Sequence, residues 1–101
     1  MAILHIVNKS AFTSNVAQSC LDHCSHQDSV IFIENGVFNT IASSPLAETI
    51  NSLQSSVKFF ALTEDLVARG LSNKILSGIE LIDYKSFVAL TIEHSPVQSW
   101  Y

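Results

Sequence analysis

A chain of 101 residues has room for one domain, spanning residues 1–101, and for no second one. Hydrophobic residues make up 48% of it and Asp, Glu, Lys and Arg only 14%, which excludes a disordered segment and falls well short of the roughly 25% charge of an ordinary soluble domain. The net charge is −4 and the basic residues Lys9, Lys58, Arg69, Lys74 and Lys85 are scattered, so the clustered positive charge that phosphate neutralisation requires is missing and direct nucleic-acid binding is not expected.

Residues 2–7, Ala-Ile-Leu-His-Ile-Val, form a short β-branched apolar run that reads as a first strand. Lys9 follows at once, with neither a signal-peptide pattern nor a run of about 18 apolar residues, so the expected location is cytoplasmic and off the membrane. After the polar stretch 8–15, Val16, Ala17, Cys20, Leu21 and Cys24 recur at helical spacing and predict one helix face. Residues 29–33 read as a second strand, closed by Glu34-Asn35-Gly36, with 37–41 as a short extended piece.

Ser44-Pro45 supplies an N-cap and a first-turn proline for a helix to about Leu53, with Glu48 favourably placed near the positive end of its dipole. Residues 57–62 predict a third strand, and Thr63 caps a helix that carries Glu64 and Asp65 in its first turn and Arg69 before Gly70 at its end. Residues 79–82 read as a fourth strand and 83 to about 93 as a last helix, with Phe87, Leu90 and Ile92 turned inward. The alternation predicts an α/β fold: a parallel sheet of about four strands flanked by helices, in the layering of flavodoxin-like domains.

Sites in such sheets form where loops leave the carboxyl ends of the strands. The loop at 8–15 carries Lys9 but no glycine, so it matches neither a dinucleotide fingerprint nor a P-loop, and no cofactor is expected. A phosphoacceptor receiver needs carboxylates at that edge, yet the first strand ends in Asn8-Lys9.

Cys20-Leu21-Asp22-His23-Cys24 is the chemically richest segment. Cys20, His23 and Cys24 share a helix face and, with His26, would supply soft ligands to zinc, but structural zinc sites draw on two separate elements and only one is visible, so no metal is expected. As a nucleophile, Cys20 would have His23 one turn on to steady its thiolate, though it lies two turns from the helix N-terminus. A buried thiol in line with Val16 and Cys24 is the plainer reading. His5 and His94 are isolated in sequence from any partner. The terminal aromatics Trp100 and Tyr101 must pack or dock, and aromatics concentrate at interface hot spots, so both are candidate partner-binding residues.

Four ordered stretches bring a family into view: Leu4-His5-Ile6-Val7-Asn8-Lys9-Ser10-Ala11-Phe12, Ile33-Glu34-Asn35-Gly36-Val37, Ala61 through Gly70, and Ile82-Asp83-Tyr84 onward through Phe87-Val88, Leu90-Thr91, His94 and Gln98-Ser99-Trp100. Over essentially its whole length the chain resembles the DsrH/TusB family. The resemblance implies a cytoplasmic, non-catalytic subunit of a sulfurtransferase heterohexamer, assembled with DsrE/TusD-like and DsrF/TusC-like sister subunits. Such a complex passes persulfide sulfur to a DsrC/TusE-like acceptor, toward 2-thiouridine at the tRNA wobble position. The Ser19-Cys20-Leu21 context resembles DsrH-type members that carry a cysteine there. That points toward the alternative branch, dissimilatory sulfur oxidation, with Cys20 as an auxiliary sulfur carrier, while tRNA thiolation stays the first reading because that pathway is widespread. The family pattern does not require Cys24.

Overall fold

The structure, a computed structural model, describes residues 2–94 and 96–101; Met1 and Ser95 lie outside the described residues. Strand β1 (Leu4–Val7) leads to helix α1 (Val16–His23), β2 (Ser29–Phe32), a 3-10 helix (Glu34–Thr40), α2 (Ala47–Leu53), β3 (Lys58–Leu62), α3 (Thr63–Ala68), β4 (Glu80–Ile82), α4 (Tyr84–Glu93) and β5 (Val97–Trp100). All pairings in the sheet are parallel, in the order β4-β3-β2-β1-β5. The expected parallel α/β sheet is therefore present, with a fifth strand added beside β1.

Topology explains how the helices divide. From β1 to β4 the chain steps across the sheet in one direction, and right-handed crossovers then place α1, α2 and α3 on the same face. The return from β4 to β5, on the opposite edge, carries α4 over the other face. Alternating strand residues fill the two layers accordingly: Val7, Val30, Phe32, Phe59 and Ala61 pack with Ala17, Cys20, Leu21, Ile50 and Leu66, while Leu4, Ile31 and Phe60 meet Phe87 and Leu90 of α4.

Local chemistry departs from expectation in four places. Residues 37–41 are not an extended piece: Gly36 N–H donates to the Ile33 carbonyl at 2.8 Å and starts a 3-10 turn that buries Val37, Asn39 and Thr40. A Cβ at Gly36 would overlap the Val7 carbonyl, so only glycine lets this turn lie against the end of β1. Helix α3 begins at Thr63 without a side-chain cap, and its acidic residues serve the starts of neighbouring helices instead: Asp65 accepts from Glu34 N–H of the 3-10 helix at 2.7 Å and Glu64 from Tyr84 N–H of α4 at 3.1 Å. Ile92, expected inward, is 79% exposed, whereas Phe87 and Leu90 do turn in. Ser44, expected as the N-cap with Pro45 in the first turn, sits ahead of the helix instead: its hydroxyl accepts from Leu46 N–H at 3.0 Å in the preceding turn, and the helix starts at Ala47 with no side-chain cap.

Candidate functional site

The densest polar grouping lies where β1, the end of α1, the start of β2 and β5 meet. His5 points from β1 into the face covered by α1, and Asp28, just before β2, faces it; both are almost completely buried. His5 Nε2 lies 2.9 Å from Asp28 Oδ2. The same carboxylate accepts from Ile3 N–H at 2.9 Å and from Ser25 N–H at 3.0 Å, which satisfies a group that could not otherwise be buried. On the other side of the ring, the Trp100 indole N–H donates to His5 Nδ1 at 3.0 Å. An indole nitrogen only donates, so Nδ1 holds the lone pair and Nε2 carries the hydrogen directed at Asp28. A single tautomer is thereby fixed, by residues 23 and 95 positions away from His5 in the chain.

The two cysteines complete the group. Cys20 is fully buried on the inner face of α1, and Cys24, partly buried, caps that helix; both are free thiols. Ligand atoms of His5, Cys20 and Cys24 all lie within 4.8 Å of one another. The proton balance is uneven. Hydrogen bonding from Cys20, opposed by burial and assisted by His5, lowers the Cys24 thiol; the same contact and burial raise Cys20. As a thiol, Cys24 donates to the Cys20 carbonyl at 3.4 Å. Burial works against a charge on Asp28, but hydrogen bonds from Ser25, His5 and Ile3 outweigh it and hold the carboxyl below its usual range. Burial likewise opposes charge on His5, while Cys24 and Asp28 together raise its proton affinity. Protonation would set an N–H against the Trp100 N–H, so gaining that charge means giving up the indole contact.

The histidines expected around Cys20 go elsewhere. His23 Nδ1 lies 2.7 Å from the Ser19 carbonyl, its ring rests beside Trp100 at 5.5 Å between centroids, and His26 is exposed. His5, read from sequence as isolated, is the imidazole that reaches the cysteines. Of the two aromatics, Trp100 is partly buried between His5 and His23, and Tyr101 is 80% exposed. His94 only caps its own helix, with Nδ1 at 3.0 Å from the Leu90 carbonyl.

The loop after β1 is tied down internally. Buried Asn39 accepts from Ala11 N–H at 2.7 Å and donates to the Lys9 carbonyl at 3.0 Å, while Phe12 and Thr13 N–H groups turn to Ser10. These amides are spent within the fold and do not converge on a phosphate. Beside them, Ser10, Phe12, Thr13, Asn35, Phe38 and Ile41 line a largely apolar cleft of about 400 Å³. No helix among the described residues is long and apolar enough to cross a membrane.

With this geometry in place, comparison with known proteins gives a consistent answer. The chain is 34% identical to Protein TusB of Shigella flexneri and 33% identical to Protein TusB of Escherichia coli K12, in each case over 97% of this chain and 100% of the relative. Its fold is similar to that of the ychN protein from E. coli, with a TM-score of 0.85 at 12% identity over 98% of both chains. It is also similar to MTH1491, a protein of unknown function from Methanobacterium thermoautotrophicum, with a TM-score of 0.70 at 20% identity over 97% of this chain and 96% of that one. Residues 9–97 match the family described as DsrH like protein, and the chain belongs to that family.

Proposed function

We propose that this chain is a cytoplasmic, non-catalytic subunit of a sulfur-relay complex that passes persulfide sulfur toward 2-thiouridine at the tRNA wobble position. The full-length likeness to TusB proteins carries the reading. The burial of Cys20 agrees with it, because a sulfur atom handed between subunits must meet an incoming thiolate, and this thiol is covered on the inner face of α1. The partners are DsrE/TusD-like and DsrF/TusC-like sister subunits, with a DsrC/TusE-like acceptor reached through the complex. Trp100, the last residue of β5, and Tyr101 just beyond it form the partner-binding end, Tyr101 supplying the exposed ring and Trp100 anchoring the strand from within.

The experiment is complementation of a deletion strain, read out as wobble-uridine thiolation. Both the parent chain and Cys20→Ser restore thiolation, and removal of residues 100 and 101 weakens recovery of the sister subunits on co-purification. Loss of thiolation in Cys20→Ser with normal assembly would make Cys20 a carrier. The paired thiols Cys20 and Cys24 favour that second reading, a DsrH-type subunit of dissimilatory sulfur oxidation. A parent chain that assembles with its sisters yet restores no thiolation points to that branch.

A further inference from the structure

We infer that His5, Cys20 and Cys24 form a binding site for one thiophilic d10 cation, zinc in the first instance, with Asp28 as the residue that orients the imidazole. The inference does not depend on the sulfur-relay reading. Tetrahedral zinc has bonds of about 2.3 Å to sulfur and about 2.0 Å to nitrogen, which sets its ligand atoms about 3.5–3.8 Å apart. The two sulfurs and one ring nitrogen of His5 already lie within 4.8 Å of one another, so the group needs to converge by no more than about 1.3 Å to meet that geometry. Rotation about the cysteine side chains supplies such a movement without displacing β1 or α1.

Two further observations distinguish this from a chance meeting of thiols. The donors come from separate elements, a strand and a helix end, so a bound cation would tie β1 to α1 as structural zinc ties distant parts of a chain. The imidazole is also prepared for the task. A metal-bound histidine usually gives its second N–H to a carboxylate, which fixes the tautomer and strengthens the ligating nitrogen. Here Nε2–H faces Asp28, and the lone pair that would serve a cation is the one on Nδ1 that now accepts from Trp100. The Trp100 N–H and the cation compete for that lone pair, so binding would release the indole. Loading is a substitution of protons: zinc enters, the two thiols lose their protons to solvent, and the two thiolates neutralise the dication in a site where unpaired thiolates would be costly. Three protein donors leave one coordination position for water or for a thiolate from outside the chain.

The test uses the full chain, reduced and stripped by a chelator, titrated with zinc against a chromophoric competitor and with cobalt as a spectroscopic substitute. One equivalent is expected to bind, cobalt to give a thiolate charge-transfer band, and the fluorescence of Trp100, the only tryptophan, to change in step with occupancy. Cys24→Ser and His5→Ala should each weaken binding at least tenfold, and Asp28→Asn by 10- to 100-fold. His26→Ala should leave it unchanged. Because variants in a buried cluster can fail by misfolding, Trp100→Phe is the decisive addition: it removes the competing N–H and should tighten binding several-fold, read on variant protein that melts cooperatively like the parent, since an opened chain also offers its thiols to zinc. Absence of stoichiometric binding to the folded parent chain, dependence on His26 in place of His5, or weaker binding in a folded Trp100→Phe would each overturn the assignment.

Discussion

The two faces of the sheet are closed by different amounts of protein. On one, α1, α2, α3 and the 3-10 helix cover Val7, Val30, Phe32, Phe59 and Ala61 with a continuous apolar layer. On the other, α4 alone lies over Leu4, Ile31 and Phe60, held there by Phe87 and Leu90, and it has no fully buried residue of its own. Tyr84, Val88 and Ile92 of the same helix remain exposed. The difference follows from strand order, since three crossovers share one face and a single long return serves the other. It also separates the roles: the thick face holds the two thiols and the buried His5–Asp28 pair, and the thin face holds a helix that local interactions must support.

The sharpest way to break this contrast is to make cavities on both sides. Ile50→Ala, in the thick layer, should cost about 2–5 kcal/mol, the usual range for a fully enclosed aliphatic side chain whose surroundings cannot collapse. Leu90→Ala, only partly enclosed, should cost less, about 1 kcal/mol, because it gives up less buried surface. Denaturant melts of the two variants measure the gap, and equal losses would mean that the faces are equally closed. Between them should fall Asp28→Asn. An amide in place of the carboxylate sets an N–H₂ against one of the three donors now satisfied, at a cost of about 2–3 kcal/mol, the scale of hydrogen bonds to a charged group. Its signature is a loosened β5, because the tautomer that receives the Trp100 N–H is no longer enforced; faster amide exchange at residues 97–100 would report it.

How much of this was legible in the sequence differs between the faces in the same way. The thick face is made by elements with strong local signals: the β-branched runs of β1 and β2, the apolar run of β3 and the helical spacing of Ala17, Cys20 and Leu21 all lie where expected. The α4 face was read less well. Ile92 continues the apolar spacing of Phe87 and Leu90, but the helix has only a narrow strip of sheet to cover and its last turn projects beyond it. Strand β5 carries no apolar run, because Gln98 and Ser99 sit on an edge that needs only the backbone register with β1. The candidate site escaped for another reason. His5 looks isolated until parallel pairing sets β5 beside β1, which brings Trp100 and Asp28 to its two nitrogens from 95 and 23 residues away. Spacing along a helix could propose His23 and His26 as companions of the cysteines; only the sheet could supply His5.

The smallest expected effect tests what holds α4 in place. With little core beneath it, this helix depends on its first turn, where the Asp83 carboxylate accepts from Ser86 N–H at 2.8 Å and lies near the positive end of the helix dipole. That hydrogen bond lowers the Asp83 pKa below its usual value, aided by Lys85 nearby. A carboxylate with a lowered folded-state pKa contributes its stability above the unfolded-state pKa, about 3.9, and loses it as the pH falls through the folded-state value. Asp83→Ala should therefore melt slightly below the parent chain at neutral pH, and the difference should close as the pH drops below about 3.9. Because the carboxylate is solvent-exposed, the loss should be local, seen as faster amide exchange in residues 84–88 while the amides of β2 and β3 keep their protection. A gap that persists unchanged at low pH would show that the cap acts through packing and not through its charge, and exchange that accelerates across the whole sheet would show that the two faces unfold as one unit.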